Sequence, residues 1–504
     1  MRLFFFLSLT IICTFECRSA PIDWGKVHDI TLRGINNLYN LEVDNAMQAF
    51  DSVGRMAPGD PRGPFFQCMV HFYLYGLVRE ESELTAFFEK SERVIDICER
   101  LLERNGRDAT TKFYLGGIYG YRGLAYHGSR SYLKAARDGR KGYLLLEEAV
   151  REDPKLYDAH MGFGLFTYLI AKIPASMRWI LSILGFSGDL EGGLNSLRLA
   201  AHKGVYTRTE AKLFLAQFLF AEGRRDTAIQ YLNELRREYP ENTLFLVLYA
   251  FWQHRLDNLD EAMKAARTAI DLNNRKKVRY GEELAYSTLG SICFTLNDFT
   301  NSRNYYRLYM DMTRNDERTP NYTFYRAGLA CEIAGDRETA VAFLRRMDKD
   351  RESEWDKHHY RLGQELLRRP LTDAEILIIK GGNESSRNNP DRAMKLYEEA
   401  LQKAGTNADT RVRALYGIQQ AQYDMKMFPE VVETSNRLLA LKPVSEIWII
   451  PHAWFRLGQS YAKQGMIAEA RRAFEMIDQY DDYDFQNRLE SRAEQEMKKL
   501  DAVQ

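Results

Sequence analysis

Two histidines, His358 and His359, stand side by side in EWDKHHYRLGQ, with Glu354 and Asp356 within one turn of them. Imidazoles and carboxylates are the groups from which zinc sites are built. On a helix, however, adjacent residues project about 100° apart, which is poor chelate geometry, and no metal is expected there. A second acidic knot, Asp481, Asp482 and Asp484 in DQYDDYDF, offers oxygens to a hard cation but reads better as a solvated turn. The patterns that cradle phosphate or arm a hydrolytic centre, GxxxxGK[ST], HExxH and GxSxG, do not occur. No catalytic residue, cofactor ligand or metal ligand is assigned, and the chain is not expected to be an enzyme.

The bulk composition excludes further classes. Lys plus Arg number 70 and Asp plus Glu number 70, so the basic excess of a nucleic-acid binder is missing and no nucleic-acid partner is expected. With 45% hydrophobic and 28% charged residues and only 13 prolines in 504, the chain reads as a folded protein of long charged helices. Its first twenty residues, MRLFFFLSLTIICTFECRSA, give one Arg, an apolar run from Leu3 to Phe15, and small residues at Ser19 and Ala20. That is the layout of a secretory signal peptide over 1–20, with the mature chain starting near Pro21. Cys17 follows Phe15-Glu16 rather than small residues, so lipidation is not favoured. The expected setting is a bacterial periplasm or outer membrane, where the sequons Asn321-Tyr-Thr and Asn383-Glu-Ser carry no meaning.

The elements emerge from one window. Trp454, Leu457, Gly458 and Tyr461 are followed by Gly465, Ala470 and Phe474. The spacing is similar to that of the tetratricopeptide repeat, a helical hairpin of about 34 residues. Gly458 and Ala470 would sit where two helices cross, and Gly465 would let the chain leave the first helix through a left-handed turn. The register recurs at Leu289-Gly290, Cys293, Ser302 and Tyr306; at Gly328, Cys331, Gly335, Ala340 and Leu344; and at Gly223, Ala228 and Leu232. Ala46, Phe50 and Val53 fit a first copy, and Ala393, Tyr397 and Ala400 a degenerate one. The fold class is therefore all-α: a right-handed superhelical solenoid of about ten to eleven hairpins, continuous over 21–504. Cys293 and Cys331 hold equivalent positions, roughly 10 Å apart in stacked hairpins, beyond the about 7 Å reach of a disulfide. They and Cys68 and Cys98 read as buried thiols.

Two stretches interrupt the period, 120–141 and 172–190. The second contains the apolar run Trp179-Ile180-Leu181-Ser182-Ile183-Leu184. About eleven helical residues reach only about 16 Å, half the roughly 30 Å of a bilayer core, so no transmembrane span is expected in the mature chain. The run is expected to fold back and plug the groove, with docking through Trp179, Ile180, Ile183, Leu184 and Phe186. Protein docking and peripheral membrane contact are the alternatives. Leu184-Gly185-Phe186-Ser187-Gly188-Asp189, continued by Gly192-Gly193-Leu194, Leu197 and Ala200-Ala201, resembles the tetratricopeptide repeat protein 39 family, which includes the fungal inclusion body clearance protein. Asp158 to Pro174 resembles the segment preceding it, and the likeness is specific over about 155–220. The resemblance implies a noncatalytic, adaptor-like role connected in part with lipid storage, and combined with the export segment it points to an exported bacterial relative.

First-helix positions on either side of the repeat glycine should face the concave groove. In this chain they are Gln217, Phe220, Phe251, His254, Ser291, Phe294, Tyr325, Glu332, Phe455 and Gln459. An aromatic-rich groove with scattered polar groups suits an extended peptide or a helix of a partner protein. The function expected is a protein-interaction scaffold of the cell envelope, the alternative being a lipid- or membrane-associated protein that uses the apolar insert.

Overall fold

Turn chemistry decides where the helices stop. At Leu41, Arg130, Gly223, Asp257, Asn297, Gly335, Asn388, Lys426 and Gly465 the backbone swings to positive φ between two helices. The next amide then donates back five residues, as Asp336 N does to Cys331 O at 2.8 Å and Met466 N to Tyr461 O at 3.0 Å. This closes the last carbonyls of the first helix. Glycine takes the conformation freely. The six residues with side chains hold it against a steric cost of about 1 kcal/mol each. Second helices then open on capping carboxylates, for example Asp298 accepting from Asn301 N and Asp336 from Thr339 N, both at 3.2 Å.

The computed structural model describes residues 21–78, 80–173, 188–313 and 319–501, and every regular element among them is helical. The chain divides into two compact units, 1–242 and 243–504. In the first, helix pairs span 24–56, 62–104, 109–152, 159–203 and 208–238. In the second they span 243–276, 282–312, 321–344, 373–403, 408–439 and 449–475, with unpaired helices Glu354–Arg368 and Gln486–Asp501. The eleven pairs among the described residues agree with the repeat count read from spacing.

In several pairs the helices approach so closely that one must surrender its side chain. A Cβ on Gly290 would lie 3.1 Å from the Tyr306 ring, one on Gly328 2.9 Å from Leu344, and one on Gly458 2.6 Å from Phe474. In the pair 159–203 both helices give way: a Cβ on Gly193 would stand 2.7 Å from Tyr168 N and 2.9 Å from Gly164 O. Backbone therefore meets backbone there, which gives the glycine pattern of this segment its physical cause.

Carboxylates fix the turns that lead from one pair to the next. Asp158 Oδ1 accepts from the amides of Val205, Tyr206 and Thr207, each at 2.9 Å. Asp409 Oδ1 does the same for Val444, Ser445 and Glu446 at 2.9–3.0 Å. The stretch 120–141 forms no separate loop; it lengthens both helices of its pair, Ala109–Gly128 and Tyr132–Glu152. A buried ion pair explains how: Arg122 Nε donates to Asp138 Oδ2 at 2.9 Å, and Arg122 Nη1 donates to Ser91 Oγ at 2.7 Å and Glu92 Oε1 at 2.6 Å. The sequon asparagines are structural as well. Asn321 Nδ2 donates to Asp348 O at 2.7 Å, and Asn383 Nδ2 to Phe294 O at 2.7 Å. The cysteines at 68, 98, 293 and 331 are buried thiols. No described helix is long and apolar enough to cross a membrane.

Two substitutions of opposite sign test this packing. Gly193→Ala places a methyl against backbone that cannot move aside and should destabilise by about 2 kcal/mol. Lys426→Gly removes the side chain from a left-handed turn and should stabilise by about 0.5–1 kcal/mol. Both are read from the midpoint of urea unfolding.

Candidate functional site

In the first unit the last helices return to the first. His28 Nδ1 and the Tyr206 hydroxyl share a hydrogen bond of 2.7 Å, Tyr239 Oη donates to Asn36 Oδ1 at 3.2 Å, and Asn242 Nδ2 donates to Tyr39 O at 2.7 Å. This return frames a small, partly open chamber of about 50 Å³. Phe65 stands in its wall among rings, 5.3 Å from Phe66, 5.2 Å from Tyr114 and 6.4 Å from Tyr121. Glycines make room for the rings: a Cβ on Gly117 would lie 3.2 Å from Phe65, and one on Gly120 2.9 Å from Phe166.

One ionisable acid faces this apolar space. Glu210 sits in the first turn of Arg208–Ala221 and lies deep in the unit, yet keeps some accessible surface because what it faces is the chamber. Tyr121 Oη donates to Glu210 Oε2 at 2.5 Å. Burial pushes the carboxyl up to about 7, with the Tyr121 hydrogen bond pulling the other way. Tyr121 itself is raised well above the usual phenol range by burial and by Glu210.

The second unit carries a different feature, a strip of rings and guanidiniums on successive first helices. Arg255 lies 6.0 Å from the Phe251 ring, and Arg326 lies 4.6 Å from Phe294 and 5.6 Å from Tyr322. His359 follows, 5.0 Å from Tyr322 and stacked 5.7 Å from Trp355, which in turn meets Phe485 at 4.8 Å. Trp355 is 54% exposed and Tyr322 41%. Burial lowers both His254, to about 4, and His359, so both are neutral at pH 7. Beside the strip, Asp484 Oδ2 accepts from Arg361 Nη2 at 2.6 Å and bonds His358 Nδ1 at 2.8 Å. Opposing its burial, these partners hold Asp484 at about 2. The two acidic and histidine motifs read separately in the sequence thus meet as one ionic latch. Among the described residues no three His, Cys, Asp or Glu side chains are placed to hold a metal.

The sequence-derived groove positions divide. Phe251, His254 and Tyr325 lie at the strip, partly buried, and Ser291 is partly buried on the same helix as Phe294. Phe294 and Phe455 are core residues instead: Phe294 packs on Phe299 at 5.2 Å, and Phe455 on Phe474 at 5.7 Å with Arg492 over its other face. Glu332 is spent on Arg337 at 3.0 Å and on Leu371 N at 3.2 Å. Gln459 accepts from Arg456 Nη1 at 3.0 Å. Gln217 and Phe220 sit farther along the helix that carries Glu210 and do not line the chamber. The docking set Trp179, Ile180, Ile183, Leu184 and Phe186 lies outside the described residues. Sequence reasoning missed Glu210, Tyr121, Tyr322, Arg326 and Trp355; a Trp among the charged residues of EWDKHHYRLGQ was the available signal.

Glu210→Gln tests the chamber's electrostatics. A carboxyl raised from 4.5 to about 7 keeps a proton in the folded state that the unfolded chain releases, so stability falls as pH rises across that window. Removing the ionisable group removes the loss. The stabilising increment of Glu210→Gln should grow by roughly 2 kcal/mol between pH 5 and pH 8, measured by chemical denaturation at each pH. An increment that stays constant contradicts the assignment.

Residues 158–362 match the Iml2/Tetratricopeptide repeat protein 39 family, and residues 452–482 match a tetratricopeptide repeat. Solved structures similar to the chain include yeast Tom70, at 12% identity over 85% of this chain and 87% of that one, TM-score 0.33. A second is Pseudomonas aeruginosa pilF, at 15% identity over 50% and 98%, TM-score 0.35. A third is the human IFIT1 dimer with PPP-AAAA, at 14% identity over 91% and 95%, TM-score 0.35. The first match starts at Asp158, the carboxylate that clamps the turn at 205–207, and contains the backbone-to-backbone crossing of Gly164 and Gly193. This is an all-α chain of tetratricopeptide-type helical hairpins whose central segment, 158–362, resembles the Iml2/Tetratricopeptide repeat protein 39 family.

Proposed function

We propose that this chain is a noncatalytic interaction scaffold whose second unit takes an extended segment of a partner protein along the strip from Phe251 to Trp355. The observation that carries the reading is the exposure of two large rings, Trp355 and Tyr322, on a ladder already stacked against His359 and Arg326. Half-exposed aromatic side chains beside arginine are the residue types that dominate binding energy at protein interfaces. Because the rings are pre-stacked, little side-chain freedom is left to lose on binding. The charged side chains stacked on the strip's rings are Arg255 and Arg326, and the histidines beside them are neutral, so the partner segment carries acidic side chains between apolar ones. Helical-hairpin arrays of this kind commonly serve as platforms for peptides and helices. The N-terminal export segment sets the proposal in the bacterial cell envelope, where a mature N-terminus near Pro21 is the expected product.

A photo-crosslinking residue at Tyr322, with the same residue at the exposed Leu133 of the first unit as control, tests the strip in native envelopes. One protein should crosslink at 322 and not at 133. Trp355→Ala should weaken its co-purification by about 30-fold, as expected for loss of roughly 2 kcal/mol at a hot spot. Identical crosslinks from both positions, or none at 322, contradict the proposal. N-terminal sequencing of the recovered protein checks the processing site.

A further inference from the structure

The strip does not account for the positive charge gathered in the last helices of the second unit. We propose that Arg456, Arg488 and Arg492 clamp the acidic carboxyl end of a protein chain, taking its terminal carboxylate and the side-chain carboxylate beside it. Arg456 lies on Ile449–Lys463, and Arg488 and Arg492 lie one turn apart on Gln486–Asp501, so the last two project from one face. Rings hold the guanidiniums in place: Arg492 lies over Phe455 at 4.6 Å, and Arg456 over Tyr423 at 4.2 Å. Among the described residues none of the three arginines is in an ion pair. Other arginines of this unit are neutralised, Arg361 by Asp484 at 2.6 Å and Arg369 by Glu375 at 2.7 Å.

Neutral groups hold Arg456 instead. Its Nε donates to Gln420 Oε1 at 2.8 Å and its Nη1 to Gln459 Oε1 at 3.0 Å. Gln420 donates to Gln419 Oε1 at 3.2 Å, and the fully buried Gln419 donates to Ser435 Oγ at 2.8 Å and Ala453 O at 3.1 Å. The guanidinium is thus positioned and left charged, with little freedom to lose when an anion arrives. His452, one turn before Arg456, is lowered to about 4 by burial and by Arg492, Arg456 and Arg488, so the three charges act on one place. Guanidinium forks bind carboxylates through paired N–H donors, and three of them call for more than one carboxylate. A chain ending in Asp or Glu carries two on one residue. Arg488 and Arg492 are exposed and Arg456 is partly buried, so a chain end reaches them from solvent. Rings link the clamp to the strip, from Trp355 through Phe485, His358 and Trp448 to His452, in steps of 4.8–5.7 Å. If the strip reading holds, its bound segment runs with the carboxyl end toward the clamp; the clamp itself does not rest on that reading.

Calorimetric titration of the full chain with the tetrapeptide acetyl-Gly-Ser-Glu-Asp at low salt tests the clamp, with folding of each variant checked by circular dichroism. The free acid should bind one-to-one, at least tenfold more tightly than the same peptide ending in an amide. Inorganic phosphate should compete only weakly. Arg488→Gln combined with Arg492→Gln changes two exposed side chains and should weaken the acid at least tenfold. Arg437→Gln, at an exposed arginine elsewhere in the unit, should leave binding unchanged. Trp355→Ala should also leave it unchanged, which separates the clamp from the strip. Equal affinity for acid and amide, phosphate binding as tight as the acid, no binding of the acid, or undiminished binding by the folded double variant would each overturn the proposal.

Discussion

In many of the helical hairpins of this chain the two axes come so close that a glycine on one helix is covered by a side chain of the other. Gly34 lies under the Phe50 ring, Gly290 under Tyr306, Gly458 under Phe474, and Tyr397 serves two glycines at once, Gly381 of its own hairpin and Gly417 of the next. Tight packing of this kind resists added volume because rigid rings and backbone have nowhere to go. In the pairs 109–152 and 159–203 both helices yield: a Cβ on Gly142 would stand 2.8 Å from Gly120 N, and one on Gly164 2.7 Å from Gly193 O. There the rings that would have filled the crossing are replaced by rings from neighbours, among them Phe65 and Phe166, and the space they frame is the chamber.

Closure turns this packing into chemistry. Glu210 would be an ordinary first-turn acid, favourable at a helix N-terminus, were the first helix not tied back to Tyr206, Tyr239 and Asn242. Once enclosed, its charge is disfavoured by the loss of water, and Tyr121 becomes its principal partner. The second unit reaches a different result with similar parts. Arg361 pairs with Asp484, which also bonds His358, and beside this cluster the rings of Trp355 and Tyr322 are exposed.

Much of the architecture was legible because the hairpin imposes local rules. The window from Trp454 to Phe474 carries its own spacing, and Gly458, Gly465 and Ala470 occupy the crossing, the left-handed turn and the buried second helix that the spacing requires. The rules were harder to see where side chains replace glycine, as at Lys426 or Asn388, whose left-handed turns have no compositional mark. What depends on long-range closure was not legible at all. His358 and Asp484 are separated by 126 positions, and each was judged on its immediate neighbours. Glu210 and Tyr121 are 89 positions apart and lie in helices whose pattern alone gives no sign of an interior cavity. Phe294 and Phe455 show the opposite error: their register pointed to the groove, while Phe299 and Phe474 draw them into the core.

The claim that close crossings govern the fold is tested most directly by a double-mutant cycle at Gly458 and Phe474. Gly458→Ala should destabilise because its methyl meets the ring at 2.6 Å, and Phe474→Leu should destabilise through lost burial. Combined, the smaller side chain should accommodate the methyl, so the double variant is more stable than the sum of the two losses by about 1–2 kcal/mol. Strictly additive losses in urea unfolding would mean that the glycine is not held by the ring, and would contradict the account.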